Sequence, residues 1–196
     1  MVLMSLTKVE GETLLQVAQQ SIQSGLDNGK PLLVEPRDYA EALRPIRATF
    51  VTLEIEKNLR GCLGTLSAKH PLVSDVAYHA YAAAFSDPRF PGLLCSEFPR
   101  LEIHISILGK PEPMFFESEA DLIRQLRPGV DGLILSDGPY RGTFLPSVWE
   151  SLTEPREFFR HLKQKAGLSP NHWSKTLQVE RYTVESISMN NEHINY

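Results

Sequence analysis

Leu59-Arg60-Gly61-Cys62-Leu63-Gly64-Thr65-Leu66 places one cysteine between two glycines, directly after residues 48–56, in which apolar and polar side chains alternate. Alternation with a period of two predicts a strand that leads to Cys62. Glycine tolerates positive φ and leaves room for a close neighbour. We therefore expect a turn at Cys62, with Gly61 and Gly64 opening a pocket around the thiol.

The rest of the chain alternates between helix and strand patterns. Thr7 and Glu10 form a capping box before an amphipathic helix that ends at Gly29. Further predicted elements are a helix over 71–87, a strand over 101–108, a helix over 118–126, a hairpin of strands 132–135 and 140–144, a helix over 155–167 and a last strand over 177–187. This order favours an α+β fold with a mainly antiparallel sheet flanked by helices.

Composition limits the class of protein. A chain of 196 residues is long enough for one substantial core or for two packed lobes. No apolar run approaches the roughly 20 residues of a membrane span, and the N-terminus lacks the basic region of a signal peptide. We therefore expect no membrane insertion and a cytoplasmic location. A net charge of −4 disfavours general binding to nucleic-acid backbones.

Cys62 is the first candidate for chemistry. Arg60 lies two residues before it, and a nearby guanidinium favours the nucleophilic thiolate. The alternative is that Cys62 is a small buried side chain, the commoner role of a lone cysteine. Cys95 lies in an apolar stretch, where a core position is expected. The spacing of the two cysteines indicates neither a disulfide framework nor a metal-binding pair.

Charged residues elsewhere supply further candidates. Two arginines, Arg60 and Arg89, would suit a carboxylate or phosphate if the helix over 71–87 ends near Cys62. The alternative is that Asp87 caps that helix and forms an internal ion pair with Arg89.

Two histidines lie near acidic residues on the same predicted helix or strand. Glu102 and His104 share the polar face of the strand over 101–108, where they could act as acid or base or simply face solvent. Asp75 and His79 fall one helical turn apart, a spacing more typical of a hydrogen-bonded pair than of a metal site. No metal site is therefore predicted.

The motifs together resemble one family. Residues 59–66 are similar to the LRGCIGT signature of the AMMECR domain family, known in prokaryotes as AmmeMemoRadiSam system protein A. Matching blocks follow in the family's order over 85–91 (FSDPRFP), 101–108, 131–135, 142–146 and 165–168. Two positions depart from the pattern, because His104 stands where relatives carry an acidic residue and Ser147 where glutamine is more usual.

The resemblance implies a single AMMECR-type domain over 1–196, built as two unequal lobes in one compact unit, with a cleft near 59–66 and 85–91. The leading hypothesis is a component that binds a small anionic ligand through Arg60 and Arg89, with the thiol of Cys62 as the reactive or substrate-contacting group. The binding residues would be Arg60, Gly61, Gly64, Thr65, Asp87, Arg89, Glu102 and His104.

The resemblance also implies partners, namely a Memo-like protein and a radical-SAM protein that would carry the iron–sulfur chemistry. No cofactor is assigned to this chain. One alternative is a non-catalytic adaptor in which the signature is a folding or docking element. A third reading, a role in nucleic-acid transactions, is disfavoured by the net charge of −4.

Overall fold

The structure, a computed structural model, describes residues 6–188 and divides into two compact units. Of the described residues, the first unit contains 6–108 and 185–188, and the second contains Gly109–Val184. In chain order the helices and strands are α1 Lys8–Asn28, β1 Thr49–Ile55, β2 Asn58–Gly64, α2 Leu72–Phe85, β3 Glu102–Leu108, β4 Glu112–Pro113, α3 Glu119–Gln125, β5 Gly132–Asp137, β6 Tyr140–Phe144, α4 Pro155–Lys165, β7 Gln178–Tyr182 and β8 Val184–Ser188.

The first unit is a four-stranded sheet with two helices on one face. Its strand order is β2-β1-β3-β8, and β1 runs antiparallel to both β2 and β3. Alternate residues of β1 and β3, such as Val51 and Ile105, are fully buried with Leu14 of α1 and Val76 of α2. The opposite face of the sheet therefore carries the polar residues of these strands.

The predicted ends of α1 are confirmed. The Thr7 hydroxyl accepts a hydrogen bond from the Glu10 N–H, while the Glu10 carboxylate accepts one from the Thr7 N–H. Gly29 ends the helix in the left-handed conformation at φ 72°. Among the described residues, no helix has the length and apolarity needed to cross a membrane.

The turn between β1 and β2 lies at Glu56 and Lys57, which have φ values of 53° and 63°. Two consecutive residues with positive φ form the tight turn that matches the twist of a hairpin. The prediction of a turn at Cys62 is therefore wrong, because Cys62 lies inside β2. Sequence reasoning missed the true turn because neither residue is the glycine or asparagine that such turns usually contain.

The second unit has its own sheet and its own core. The strand order is β4-β7-β5-β6, and the predicted β5–β6 hairpin is confirmed, with Gly138 at φ 58° in its turn. The core includes Trp149 and Phe158, whose rings stack with centroids 3.7 Å apart. Trp173 lies outside this core and is 39% exposed.

The α+β class is confirmed, whereas the prediction of one last strand over 177–187 is wrong. That segment divides into β7, which belongs to the second sheet, and β8, which belongs to the first. Alternation continues across the break, so the residue pattern alone does not show which sheet each half joins. The strands accordingly form two sheets, each with four strands.

Replacing Gly61 with alanine should destabilise the first unit. A Cβ atom at Gly61 would lie 2.1 Å from the carbonyl oxygen of Ala83, so β2 and α2 would have to separate. We expect Gly61→Ala to lower the free energy of unfolding in urea by about 1–3 kcal/mol.

Gly92→Ala is the matched control, because its nearest neighbour would be a Phe85 ring carbon at 3.8 Å. Equal stability of Gly61→Ala and the control would contradict the close approach of strand and helix.

Candidate functional site

The face of the first sheet opposite the helices carries a compact set of polar side chains, here called the polar face. Thr52 on β1 pairs with Cys62 on β2 and with His104 on β3, so these three residues form one row across the sheet. Glu54 and Glu102 pair with each other in the adjacent row. All five side chains are partly buried, so each keeps some exposure to solvent.

The Cys62 thiol is hydrogen-bonded to a hydroxyl. Thr52 Oγ1 donates to Cys62 Sγ at 3.2 Å. Cys62 and His104 lie on strands separated by β1, so their backbones are about 10 Å apart at the usual strand spacing. A Cys–His pair of the kind used in nucleophilic catalysis requires direct hydrogen-bond reach. The thiol and the imidazole therefore contribute to the polar face as separate groups.

The other end of the polar face is acidic. His104 Nε2 lies 3.5 Å from Glu54 Oε2, and ligand atoms of Glu54, Glu102 and His104 all fall within 4.8 Å of one another. Within the described residues, neither glutamate forms an ion pair with a lysine or arginine, and the buried His104 Nε2 has no hydrogen-bond partner. Two carboxylates and one imidazole are a suitable set for a divalent cation.

Asp87 is the most heavily hydrogen-bonded group near Cys62. Its carboxylate is 4% exposed and accepts hydrogen bonds from the Cys62 N–H at 2.9 Å, the Arg89 N–H at 3.1 Å, and Arg89 Nε and Nη2 at 3.0 and 2.7 Å. The hydrogen bonds from Arg89, with that from the Cys62 amide, hold the pKa of Asp87 well below its usual range.

These contacts close the edge of the first sheet. β2 is an edge strand, and an edge strand leaves backbone groups without ladder partners. At Cys62 the carboxylate of Asp87 accepts from the N–H, and Arg89 Nη2 donates to the carbonyl oxygen at 3.3 Å. The Asp87-Pro88-Arg89 segment thus acts in place of a neighbouring strand.

Arg60 also has a dedicated carboxylate partner. Its Nε and Nη2 donate to the two oxygens of Glu97 at 2.7 and 2.9 Å, and Nη2 donates to the Gly92 carbonyl at 3.3 Å. The hydrogen bonds with Glu97 raise the pKa of Arg60 and lower that of Glu97. The role of Arg60 and Arg89 in binding an anion stays a prediction, and such an anion would have to compete with Glu97 and Asp87.

The two glycines of the signature are needed for close packing. A Cβ at Gly61 would meet the Ala83 carbonyl, and a Cβ at Gly64 would lie 2.3 Å from the Thr49 carbonyl oxygen and 2.4 Å from the Phe50 ring. The prediction that these glycines open a pocket around Cys62 is therefore wrong, because backbone and side-chain atoms already fill the space.

Two further predicted positions differ from expectation. Thr65 is anchored outside the polar face, since its N–H donates to the Thr49 carbonyl at 3.0 Å and its hydroxyl to the Ser67 carbonyl at 3.4 Å. Cys95 is exposed rather than part of the core. The apolar stretch around Cys95 had suggested burial, but that segment is a series of turns rather than a packed strand or helix.

Thr52 and Glu54 are the residues of the polar face that sequence reasoning did not select. Their alternation within β1 predicted that they share one side of a strand. What the sequence did not show is that β1 pairs with both β2 and β3, which brings them beside Cys62 and Glu102.

The fold and these contacts define a class of two-unit α+β protein in which a cysteine-bearing edge strand is closed by an Asp-Pro-Arg segment. The sequence model of the AMMECR1 family matches residues 15–187. The chain belongs to the AMMECR1 family.

Relatives cover most of the chain. A protein of Methanothermobacter thermautotrophicus is 39% identical over 171 residues, which are 85% of this chain and 86% of the relative. A protein of Methanocaldococcus jannaschii is 35% identical over 184 residues, with 92% and 90% covered. The crystal structure of an uncharacterized protein from Pyrococcus horikoshii superposes with a TM-score of 0.83 at 32% identity and covers 92% of each chain.

Asp87→Asn should destabilise the protein in a pH-dependent way. The variant cannot form the ion pair with Arg89, so we expect a loss of about 1–3 kcal/mol in the free energy of unfolding at neutral pH. A carboxyl group with a lowered folded-state pKa stabilises above its unfolded pKa of about 3.9, and that contribution falls as the pH drops further. The deficit of the variant should therefore shrink in acid.

Urea unfolding at neutral and acidic pH checks this expectation. Glu157→Gln is the control, because Glu157 pairs with Arg160 on an exposed helix face, where an ion pair contributes about 0–1 kcal/mol. An Asp87→Asn variant as stable as wild type at neutral pH would show that the edge contacts contribute nothing.

Proposed function

We propose that this chain binds a small, positively charged ligand on the polar face, and that the Cys62 thiol contacts the ligand. One observation carries the proposal: Glu54 and Glu102 lie side by side without a lysine or arginine partner among the described residues, whereas both nearby arginines are occupied by carboxylates. The charges that a ligand would meet on the polar face are therefore those of the two carboxylates, and they are negative.

Electrostatics at this face favours a cation. Partly buried charges interact more strongly than charges in bulk water, because the surrounding effective dielectric constant is lower. A bound ammonium group or metal ion would relieve the repulsion between the two carboxylates, and His104 Nε2 would supply a third contact. An anion would instead meet that repulsion and would have to displace Glu97 or Asp87 from an arginine.

The thiol sets the size of the ligand. Cys62 and the acidic end of the polar face are separated by β1, so one molecule would have to span about 10 Å to reach both. A ligand with a cationic group at one end and a thiol-contacting group at the other meets this requirement. The separation of thiol and imidazole supports a binding role and supplies no base for a thiol reaction.

Charged thiol reagents test the proposal, with the reagent itself serving as the small ligand. In a Cys95→Ser background Cys62 is the one remaining cysteine. We expect the cationic trimethylammonium-ethyl methanethiosulfonate to modify Cys62 faster than the anionic sulfonatoethyl reagent. Screened Coulomb energies from two carboxylates about 10 Å away correspond to a ratio of about threefold to tenfold. Mass spectrometry of timed samples gives both rates.

Glu102→Gln should lower the ratio of the cationic to the anionic modification rate of Cys62. Glu112→Gln, an exposed change in the second unit, should leave that ratio unchanged. A Cys62→Ser protein, which retains the exposed Cys95, gives the intrinsic ratio of the two reagents. Faster reaction with the anionic reagent would overturn the proposal in favour of the arginine hypothesis. A thiol that reacts only after denaturation would favour the adaptor hypothesis, in which the signature is structural.

The partner hypothesis rests on family resemblance. We propose that a Memo-like protein and a radical-SAM protein act beside this chain, which would then deliver or hold a small molecule in a shared sequence of reactions. The proposal is supported by the resemblance of residues 59–66 and 85–91 to the family's blocks.

A further inference from the structure

A second polar site lies in the first unit, on the side of β1 that faces α2. A cavity of about 200 Å³ is lined by Thr65, Ser67, Lys69, His70, Asp75, Tyr78 and His79. At about 30 Å³ for each water molecule, this volume corresponds to roughly seven waters. The cavity is therefore large enough for a small oxyanion.

A buried Asp–His pair forms the wall of this cavity. Asp75 is 1% exposed and His79 is 7% exposed, and both project from α2. Asp75 Oδ2 accepts hydrogen bonds from the Thr49 N–H at 3.0 Å and from the Thr49 hydroxyl at 2.7 Å. The same oxygen lies 3.1 Å from His79 Nδ1. The hydrogen-bonded pair that the sequence spacing favoured is thus present, but it is buried rather than on a helix surface.

These contacts select one form of the imidazole. A carboxylate oxygen accepts, so the 3.1 Å contact with Asp75 Oδ2 is made by the His79 tautomer with its hydrogen on Nδ1, which also lies 3.3 Å from the Thr49 hydroxyl oxygen. In the neutral ring this leaves Nε2 as an acceptor. The arrangement matches that of a base oriented by a carboxylate, in which the second ring nitrogen is available to a ligand.

The contacts that hold α2 on β1 do not involve every polar atom of the Asp75–His79 pair. Thr49 already engages Asp75 through its N–H and its hydroxyl, which is sufficient to hold the helix on the strand. Asp75 Oδ1 is buried and has no hydrogen-bond partner within residues 6–188. A buried carboxylate oxygen without a partner is costly, so the site would be stabilised by a donor or by a polar ligand.

The rim of the cavity is cationic, and an apolar cavity adjoins it. Lys69 and His70 are exposed, and neither forms an ion pair with any described residue. A neighbouring cavity of about 240 Å³ shares His70 and Tyr78 and extends along 31–34, where Leu33 is 94% exposed. A ligand with an anionic head and an apolar substituent would fill both spaces.

We infer that this cavity is a second ligand site, specific for a small monoprotonated oxyanion with an apolar group attached. His79 Nε2 accepts the hydroxyl hydrogen of the oxyanion, and Lys69 neutralises its charge. The apolar group lies against Tyr78 and Leu33. Asp75 is a positioning residue, because its Oδ2 holds the ring of His79.

Nitrogen NMR of the histidine rings in the full chain tests the inference at about pH 7, with inorganic phosphate and phenylphosphonate as probes, because both have a monoprotonated form at that pH. Before ligand is added, His79 should show the Nδ1–H tautomer. Each probe should shift the Nε2 signal of His79 saturably, and phenylphosphonate should bind at least about threefold more tightly, since burying part of a ring in the second cavity adds apolar contact. Lys69→Ala should weaken both probes by about threefold or more.

His161 is the internal control, because it lies one helical turn from Glu157 on a more exposed surface of α4. His79→Gln should keep the melting temperature near that of wild type and abolish the shifts of backbone amides around Tyr78. The inference is overturned if His79 shows the other tautomer, if its shift does not saturate, if it follows that of His161, or if phenylphosphonate binds no more tightly than phosphate. The wild-type spectra decide the matter even if His79→Gln fails to fold.

Discussion

The carboxylate of Asp87 organises the part of the first unit that contains the signature. It is almost fully buried, yet it is ionised because an amide of β2 and the guanidinium of Arg89 donate to it. Through these bonds the segment after α2 supplies the hydrogen-bond partners that an edge strand lacks. The β1–β2 ladder holds Cys62 on one side, and Asp87 and Arg89 hold its backbone on the other.

This constraint explains why the two most recognisable blocks of the sequence occur together. The block over 59–66 contributes an edge strand whose backbone groups lack ladder partners. The block over 85–91 contributes Asp87, which accepts from the Cys62 N–H, and Arg89, which donates to the Cys62 carbonyl. Gly61 is part of the same arrangement, because only a residue without a side chain lets β2 approach the last turns of α2. Much of the signature therefore serves packing, and chemistry is left to the side chains of the polar face.

Local patterns in the sequence predicted most helices and strands, but they did not predict which residues distant in the sequence contact each other. The capping box at Thr7, the strand over 102–108 and the β5–β6 hairpin follow from residue type and period. The hairpin turn at Glu56 and Lys57 did not, because no residue there favours positive φ. The ion pair of Arg60 with Glu97 and the hydrogen bonds of Thr49 to Asp75 were also unpredictable, since their partners are separated by 37 and 26 residues. The internal ion pair of Arg89 with Asp87, the alternative to anion binding, is the contact that the structure contains.

Amide hydrogen exchange at Cys62 is the most direct test of the edge closure. An N–H on the open side of an edge strand exchanges readily unless a side chain accepts its hydrogen bond. If Asp87 accepts this hydrogen bond as the structure shows, the Cys62 amide exchanges as slowly as the amides of the central strand β1. Exchange at the rate of exposed loop amides would contradict the account.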